Sequence, residues 1–309
     1  LHLDAERLLT SLVYALPLIL CYTFLASSVR FGVGVGAVIL AAMAAGDLKN
    51  PVLHRERSFF GVLTVQADQR TGLRHLLHGT TLHGKQWPDA RRREPLSYFH
   101  REGPIGQVFS ALGPGRREVG LVGLGAGTLC AYGEAGQRFT FYEIDPAVVR
   151  VARDPRLFTY LADCRAQVQI VVGDARQRLQ GARDGAYELL VLDAFSSDAI
   201  PVHLLTREAL SLYLRKLAPR GVLALHIANR YFRLAPVVGR LAAEAGLAAL
   251  IREERGDPKR DLDHSVWVAI GRAAEDLAPL RERFGWTEPP VGDRLWTDDF
   301  ADPLGALRL

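Results

Sequence analysis

The chain has 309 residues, of which 49% are hydrophobic and 23% are charged, and its formal net charge at pH 7 is +4. This ordinary composition excludes a disordered chain, a collagen-like fibre and a disulfide-rich mini-protein, and the length predicts about two domains. The three cysteines show no Cys-x-x-Cys spacing, so the sequence predicts neither a disulfide framework nor a metal site.

The first 50 residues differ from the rest, because their basic and acidic residues cancel and leave all the net charge in the remainder. They contain two charge-free blocks, Leu8–Val29 and Phe31–Gly46, of which the first has 22 residues and the second 16. At about 1.5 Å per residue, the first block is long enough to cross the roughly 30 Å hydrocarbon core of a bilayer. Basic residues at both outer flanks, Arg7 and Lys49 among them, place those flanks on the cytoplasmic side. We therefore predict one or two transmembrane helices in residues 1–50, a location in the inner or plasma membrane and a catalytic domain that faces the cytoplasm.

Two short apolar runs follow this segment. Phe59–Val65 and Leu73–His78 flank a polar turn, which is typical of a β-hairpin. A polar stretch rich in Arg, Pro and Gly comes next. We expect residues 51–112 to form a β-hairpin and a substrate lid.

From residue 113 to residue 309, apolar strands alternate with helical segments. Strands are expected at Val119–Val122, Phe139–Ile144, Val168–Val172, Tyr187–Asp193 and Gly221–Ile227. This alternation predicts an α/β, Rossmann-like domain with a doubly wound, mostly parallel sheet. A late strand at Ser265–Ile270 is expected to be antiparallel at the sheet edge.

The residues after each strand are the candidates for ligand binding, because ligands of such sheets bind beyond the carboxyl ends of the strands. Gly123, Gly125 and Gly127 follow the first strand, where they would let the backbone approach a ligand, although they equally suit a tight strand–helix turn. Glu143 follows the second strand and could accept hydrogen bonds from ribose hydroxyls.

After the third strand, Asp174 and Ala175 form a short acidic turn, where the carboxylate could accept from the amino group of adenine. Either acid could instead cap a helix. A glycine turn followed by acids at the ends of two successive strands nevertheless favours an adenosyl ligand.

Two carboxylates, Asp193 and Asp198, lie in the loop after the fourth strand. They suit a cationic amine, which must be held and deprotonated before its nitrogen can attack an electrophile. Asp198 could also merely cap the following helix.

These motifs together are distinctive. The run VGLVGLGAGTLCAY…FTFYEIDPAVV…VVGDARQRL…LLVLDAFSSDAIP resembles the spermidine synthase (polyamine aminopropyltransferase) family, most closely its bacterial branch fused to membrane helices. HGTTLHGKQ and LSYFHREGPIGQVF fit the same family. The resemblance implies an S-adenosylmethionine-dependent-transferase fold, with decarboxylated S-adenosylmethionine, or S-adenosylmethionine, as co-substrate, a small-molecule amine as acceptor and no metal.

The resemblance also implies roles for residues. Gly123, Gly125 and Gly127 match the nucleoside loop, Glu143 the ribose-binding acid, and Asp174 with Ala175 the adenine side. Asp193 matches the catalytic acid that accepts the amine proton, and Tyr98 matches the tyrosine that helps to orient it. In such a reaction we expect Asp198 to help hold the cation. Gln86 or His83 lies where the family keeps a glutamine near the methionine-derived tail.

Two departures concern the acceptor. Four residues separate Asp193 from Asp198, whereas the family has two. After the fifth strand the family has an amine-binding glutamate, but here the sequence is His226-Ile227-Ala228-Asn229-Arg230. An arginine there would repel a diammonium substrate, which puts putrescine in doubt.

Two other functions stay open at this point. One is an S-adenosylmethionine-dependent methyltransferase, and the other is a non-catalytic nucleoside-sensing domain of a membrane transporter. We expect no nucleic-acid partner, since no recognised nucleic-acid-binding module accompanies the basic run at residues 91–93. The oligomeric state is left open, a homo-oligomer included.

Overall fold

The computed structural model describes residues 17, 19, 21–79, 81–194, 201–257, 260 and 262–308, without the side chains of residues 41–49. The strands form two sheets, one of four strands and one of seven. The larger sheet and its helices carry most of the buried apolar side chains.

The described part of the N-terminal segment does not contain the predicted membrane spans. Within the described part of the chain, no helix is both long and apolar enough to cross a membrane. A turn at residues 24–26 interrupts the first charge-free block before helix α1, Ser28–Lys49, begins. The second block lies within α1, where its 16 uncharged residues would span only about 24 Å. The prediction of N-terminal transmembrane helices is therefore wrong, and the membrane location inferred from them is wrong for the same reason. The structure does not support the membrane as a partner.

The smaller sheet is a four-stranded antiparallel meander rather than a single hairpin. Its strands follow in chain order: β1 Val52–Ser58, β2 Gly61–Ala67, β3 Arg74–His78 and β4 Thr81–Gln86. The two runs read from the sequence correspond to the central strands β2 and β3. The outer strand β1 gave no apolar signal, because five of its seven residues are charged or polar, and half-buried positions alternate with exposed ones along it.

The larger sheet has the strand order β10-β11-β9-β8-β5-β6-β7. Its parallel strands are β5 Glu118–Val122, β6 Arg138–Glu143, β7 Gln167–Val172, β8 Tyr187–Leu192 and β9 Leu217–His226. The helices of this region are α2 Pro104–Leu112, α3 Pro146–Arg153, α4 Ala175–Gln180, α5 Arg207–Lys216, α6 Ala235–Glu244 and α7 Ala278–Phe284. The chain order reverses on either side of β5, so the carboxyl ends of β5 and β8 form the crevice where such sheets bind ligands.

Helices cover both faces of this sheet, and the strands are apolar on both sides as a result. In β8, Leu189 and Val191 pack into the core on one face, while Leu190 and Leu192 pack into the core on the other. The helices thus hold the central strands, and the loops after them, on a rigid base.

The late strand does not lie at the edge of the sheet. Strand β11, Ser265–Gly271, is antiparallel but inserts between β9 and a further strand, β10, at Ala248–Glu254. All seven residues of β11 are buried, as expected of an interior strand. The edge strand β10 ends in the charged residues Arg252–Glu254. These charges interrupt the apolar run, so the strand was not predicted from the sequence.

Candidate active site

A cavity of about 380 Å³, here called the first cavity, lies at the carboxyl ends of β5, β6, β7 and β8. The smaller sheet closes its other side. The lining residues are Phe60, Leu63, Leu76, His78, His83, Val122, Gly123, Leu124, Gly125, Tyr142, Glu143, Ile144, Asp145, Val148, Asp174, Ala175, Asp193, Ala194, Pro201, His203 and Leu204. Six of the ten predicted site residues line this cavity, whereas Tyr98, Gly127 and Gln86 are not part of its wall and Asp198 lies outside the described residues.

The glycine turn after β5 packs tightly against two other segments. Gly123 has a φ of 92°, and a Cβ there would collide with the backbone carbonyl of Asp193. Gly125 has a φ of 52°, and a Cβ there would collide with the backbone carbonyl of His83. Only glycine fits these two positions without strain. Gly127 follows at the start of a short 3₁₀ helix and is not part of the cavity wall.

The carboxylate of Glu143 is fixed by backbone groups on both of its oxygens. Oε2 accepts from the N–H of Leu124 at 2.9 Å, and Oε1 accepts from the N–H of Asp145 at 2.9 Å. Burial raises the pKa of Glu143, while these N–H groups act in the opposite direction. Each oxygen retains a second lone pair, which leaves Glu143 able to accept from hydroxyl groups of a ligand.

Asp174, the acid after β7, both caps a helix and lines the first cavity. Asp174 caps helix α4, since its Oδ1 accepts from the N–H of Gln177 at 2.9 Å. Its Oδ2 lies 3.1 Å from Nε2 of His203, a residue that also lines the cavity. The capping role and the ligand-binding role are therefore compatible, and Ala175 lies beside Asp174 on the wall.

The structure does not bring Gln86 to the cavity. Its amide nitrogen donates to the carbonyl of Arg92 and to Oγ1 of Thr159, and its amide oxygen accepts from the N–H of Thr159. The buried Gln86 instead ties β4 to the loop at Thr159. His83, three residues before Gln86, lines the cavity instead.

Asp193 is held from two sides at the end of β8. The Nδ1–H of His226 donates to Oδ1 at 2.8 Å, and the hydroxyl of Tyr98 donates to Oδ2 at 3.3 Å. The imidazole of His226 is stacked between Tyr98 and Trp267, at centroid distances of 4.6 and 4.8 Å. Stacking and hydrogen bonding together fix the carboxylate in one orientation.

The backbone before Tyr98 is unusual. Ser97 adopts a positive φ of 63°, which is uncommon for a residue other than glycine. Its hydroxyl donates to Oδ2 of Asp263 at 2.6 Å, and Nζ of Lys85 pairs with the same oxygen at 3.0 Å. Burial and the neighbouring Asp193 carboxylate hold the pKa of Tyr98 well above its usual range, so the phenol stays protonated as a donor.

His226 was not among the residues singled out for a role, although it stands at the end of the fifth parallel strand. Position alone was the available signal, because residues at that edge of the sheet face the ligand. The sequence showed that no acidic residue follows this strand. It did not show the contact of His226 with Asp193, because that contact depends on the pairing of β9 beside β8.

A second cavity, also of about 380 Å³, adjoins the first. Its described lining consists of Thr81, Leu82, His83, Tyr98, Asp193, His226, Ala228, Asn229, Arg230, His264 and Arg308. His83 and Asp193 line both cavities. Burial lowers the pKa of His83 to about 4, so its imidazole is neutral near pH 7. Asp198 lies outside the described residues.

Comparison with known proteins gives one curated relative and several solved structures. The chain is 32% identical to a polyamine aminopropyltransferase from Vibrio vulnificus over 125 residues, which cover 38% of this chain. The match spans 39% of the length of that relative. No protein-family model matches the chain.

Among solved structures, a probable spermidine synthase from Corynebacterium glutamicum is 17% identical, with a TM-score of 0.56 over 81% of this chain and 100% of that one. A spermidine synthase in complex with the transition-state analogue AdoDATO is 12% identical, with a TM-score of 0.56 over 84% of this chain and 85% of that one. The chain has the spermidine synthase fold. The Rossmann-like part of the predicted fold is thereby confirmed, and the resemblance to the spermidine synthase family is supported, without its membrane-fused branch.

Proposed function

We propose that the chain is an aminopropyltransferase of the spermidine synthase type, with decarboxylated S-adenosylmethionine as donor and an amine as acceptor. The observation that carries this proposal is the position of Asp193, whose carboxylate lines both cavities and is held by Tyr98 and His226. A fixed carboxylate between two adjoining cavities can take the proton from an acceptor bound in one cavity while that acceptor attacks a donor bound in the other. The likeness to the Vibrio vulnificus aminopropyltransferase supports the same reaction.

The first cavity offers the groups that an adenosyl donor needs. Gly123 and Gly125 bring backbone close to the ligand, Glu143 accepts from the ribose hydroxyls, and Asp174 accepts from the adenine amino group. Leu124, Ile144 and Val148 add apolar surface to the wall of this cavity. We assign this cavity to the donor. Ala175 lies beside Asp174 on the cavity wall, and Gly127 completes the glycine turn without lining the cavity.

The reaction balances as a single displacement. The acceptor nitrogen, once deprotonated, forms a bond to the carbon beside the sulfonium, and the carbon–sulfur bond breaks with its electron pair left on sulfur. The products are the aminopropylated amine and 5′-methylthioadenosine, a neutral thioether. Asp193 receives the proton from nitrogen. Because the sulfonium is already a good electrophile, alignment of the two substrates supplies much of the acceleration.

Three residues support Asp193 in this account. Tyr98 donates to the carboxylate as a protonated phenol, and His226 donates to it from the other side. Asp198, five residues after Asp193 in the sequence, is our candidate for holding the ammonium form of the acceptor before it loses its proton. His83 stands between the two cavities in the neutral state.

The test is product analysis with the full chain. Incubation with decarboxylated S-adenosylmethionine and a panel of amines is expected to release 5′-methylthioadenosine only when an amine is present. S-adenosylhomocysteine formed from S-adenosylmethionine would instead indicate a methyltransferase. Nucleoside binding without any turnover would indicate a sensor domain, and either of these results would overturn the proposal.

A further inference from the structure

The second cavity differs in charge from what a diamine requires. Among its described lining residues, Asp193 is the one carboxylate, whereas Arg230 and Arg308 are both cationic. The position after β9 where a glutamate would suit an amine is occupied by Ala228 and Asn229. Among the described residues, a diamine with two positive charges would meet one negative and two positive groups there, and Asp198, our candidate for holding one ammonium group, lies outside those residues.

Neither arginine is neutralised within the described part of the chain. The Arg230 guanidinium forms no ion pair with a described carboxylate, and it lies 5.7 Å from the ring centroid of Tyr231. Arg308 is held through its backbone N–H, which donates to the carbonyl of Tyr231 at 2.8 Å, and its guanidinium likewise pairs with no described carboxylate. Both side chains are exposed at the cavity, and both can donate to an anion.

Two other charged groups near this cavity, His264 and Asp263, are paired with described residues. Nε2 of His264 lies 2.9 Å from Oε1 of Glu253. Asp263, behind Tyr98, is bound by Lys85 and Ser97 and does not line the cavity. The unbalanced charge of the described wall therefore comes from Arg230 and Arg308.

We infer that the acceptor is an amine that also carries an anionic group, whose amine meets Asp193 and whose anion meets Arg230 and Arg308. This inference rests on the proposed aminopropyl transfer and names the class of its acceptor. Guanidinium groups bind carboxylates and phosphates through paired N–H donors, so both kinds of anion fit the arginines. The bond that forms is still nitrogen to carbon, and the anionic group takes no part in the chemistry.

Matched acceptors provide the first arm of the test. 4-Aminobutyrate replaces one aminomethyl end of putrescine by a carboxylate, ornithine adds a carboxylate to putrescine, and phosphoethanolamine carries a phosphate. We expect kcat/KM for the release of 5′-methylthioadenosine to be at least about 10-fold higher with one of the anionic amines than with putrescine. The comparison between the carboxylate and phosphate probes identifies the anion.

Charge variants provide the second arm. Arg230→Gln and Arg308→Gln should each raise KM for the preferred anionic amine about 10-fold, as expected for loss of a charge-assisted hydrogen bond, with little change for putrescine. Arg230→Glu should shift the ratio of kcat/KM values toward putrescine about 100-fold. Arg153→Gln, an exposed arginine at the end of α3, is the matched control and should change neither value. Calorimetric titration of the same variants with the preferred amine gives a binding constant that does not depend on turnover.

The outcomes separate the two proposals. If putrescine is the best acceptor for release of 5′-methylthioadenosine, and the arginine variants do not change this preference, the acceptor inference is wrong. The proposed reaction would still stand. Absence of 5′-methylthioadenosine with every amine would overturn the proposed reaction and the inference with it.

Discussion

The two cavities that meet at Asp193 differ in chemistry. The first presents a glycine turn and the acids Glu143 and Asp174, a pattern readable from sequence and typical of nucleoside binding. The second presents two arginines and three histidines around one described carboxylate. The donor side therefore retains the features of the spermidine synthase pattern, whereas the acceptor side departs from them. We therefore propose that the acceptor, and not the donor, is where this chain departs from that pattern, and the following predictions address each side in turn.

The largest effect is expected at the wall that both cavities share. Asp193→Asn removes the proton acceptor but keeps the side-chain size, so kcat should fall about 10²- to 10⁴-fold. The rate of 5′-methylthioadenosine release measures this loss. Asp89→Asn, in an exposed loop where Asp89 pairs with Arg91, is the control and should keep the wild-type rate. An Asp193→Asn enzyme with unchanged turnover would remove Asp193 from its role.

On the donor side, Gly123→Ala should lower the free energy of unfolding by about 3 kcal/mol, because it adds backbone strain to a collision with the Asp193 carbonyl. Gly136 has a similarly positive φ of 87° but open space around it. Gly136→Ala should therefore lose only about 1 kcal/mol, the part due to backbone conformation. Urea unfolding of both variants measures the difference, and equal losses would argue against tight packing of the glycine turn.

His83 should make the protein sensitive to acid. Its pKa in the folded state is about 4, compared with 6.5 when unperturbed, because burial disfavours the charged form. The unfolded chain therefore binds a proton as the pH falls below 6.5 while the folded chain does not, and stability is lost progressively down to about pH 4. By linkage, the loss at pH 5 is about 2 kcal/mol relative to pH 8. His83→Gln should lose about 2 kcal/mol less between these pH values in urea unfolding, and parallel pH profiles would count against a neutral, buried His83.

The smallest effect is expected for Tyr98→Phe. The phenol orients Asp193 at 3.3 Å but His226 still holds the other oxygen, so kcat should fall only about 10-fold. Loss of orientation should act on kcat more than on KM of the acceptor. A change confined to KM would instead assign Tyr98 to acceptor binding.

A feature of the fold or of the site could be predicted from the sequence when it depends on residues that are close together in the chain. The glycine turn, Glu143, Asp174 and Asp193 lie at or just after the ends of apolar strands, so the alternation of strands and helices predicted that they meet at one edge of the sheet. Gln86 was assigned by alignment and not by position, and its amide is instead used to bind Thr159 and Arg92.

Features that depend on long-range pairing were missed. The contact of His226 with Asp193 requires β9 to lie beside β8, and the insertion of β11 between β9 and β10 left no local signal. The N-terminal error had a different origin, because hydropathy alone does not register the turn at residues 24–26 that interrupts the first apolar block.

Calorimetric titration of the full chain with decarboxylated S-adenosylmethionine tests the central claim most directly. The account predicts saturable binding with one site per chain, weakened by Gly123→Ala and left unchanged by Arg230→Gln, since the first cavity holds the donor and the second does not. Absence of binding, or binding that depends on Arg230 and not on Gly123, would contradict the assignment of the two cavities.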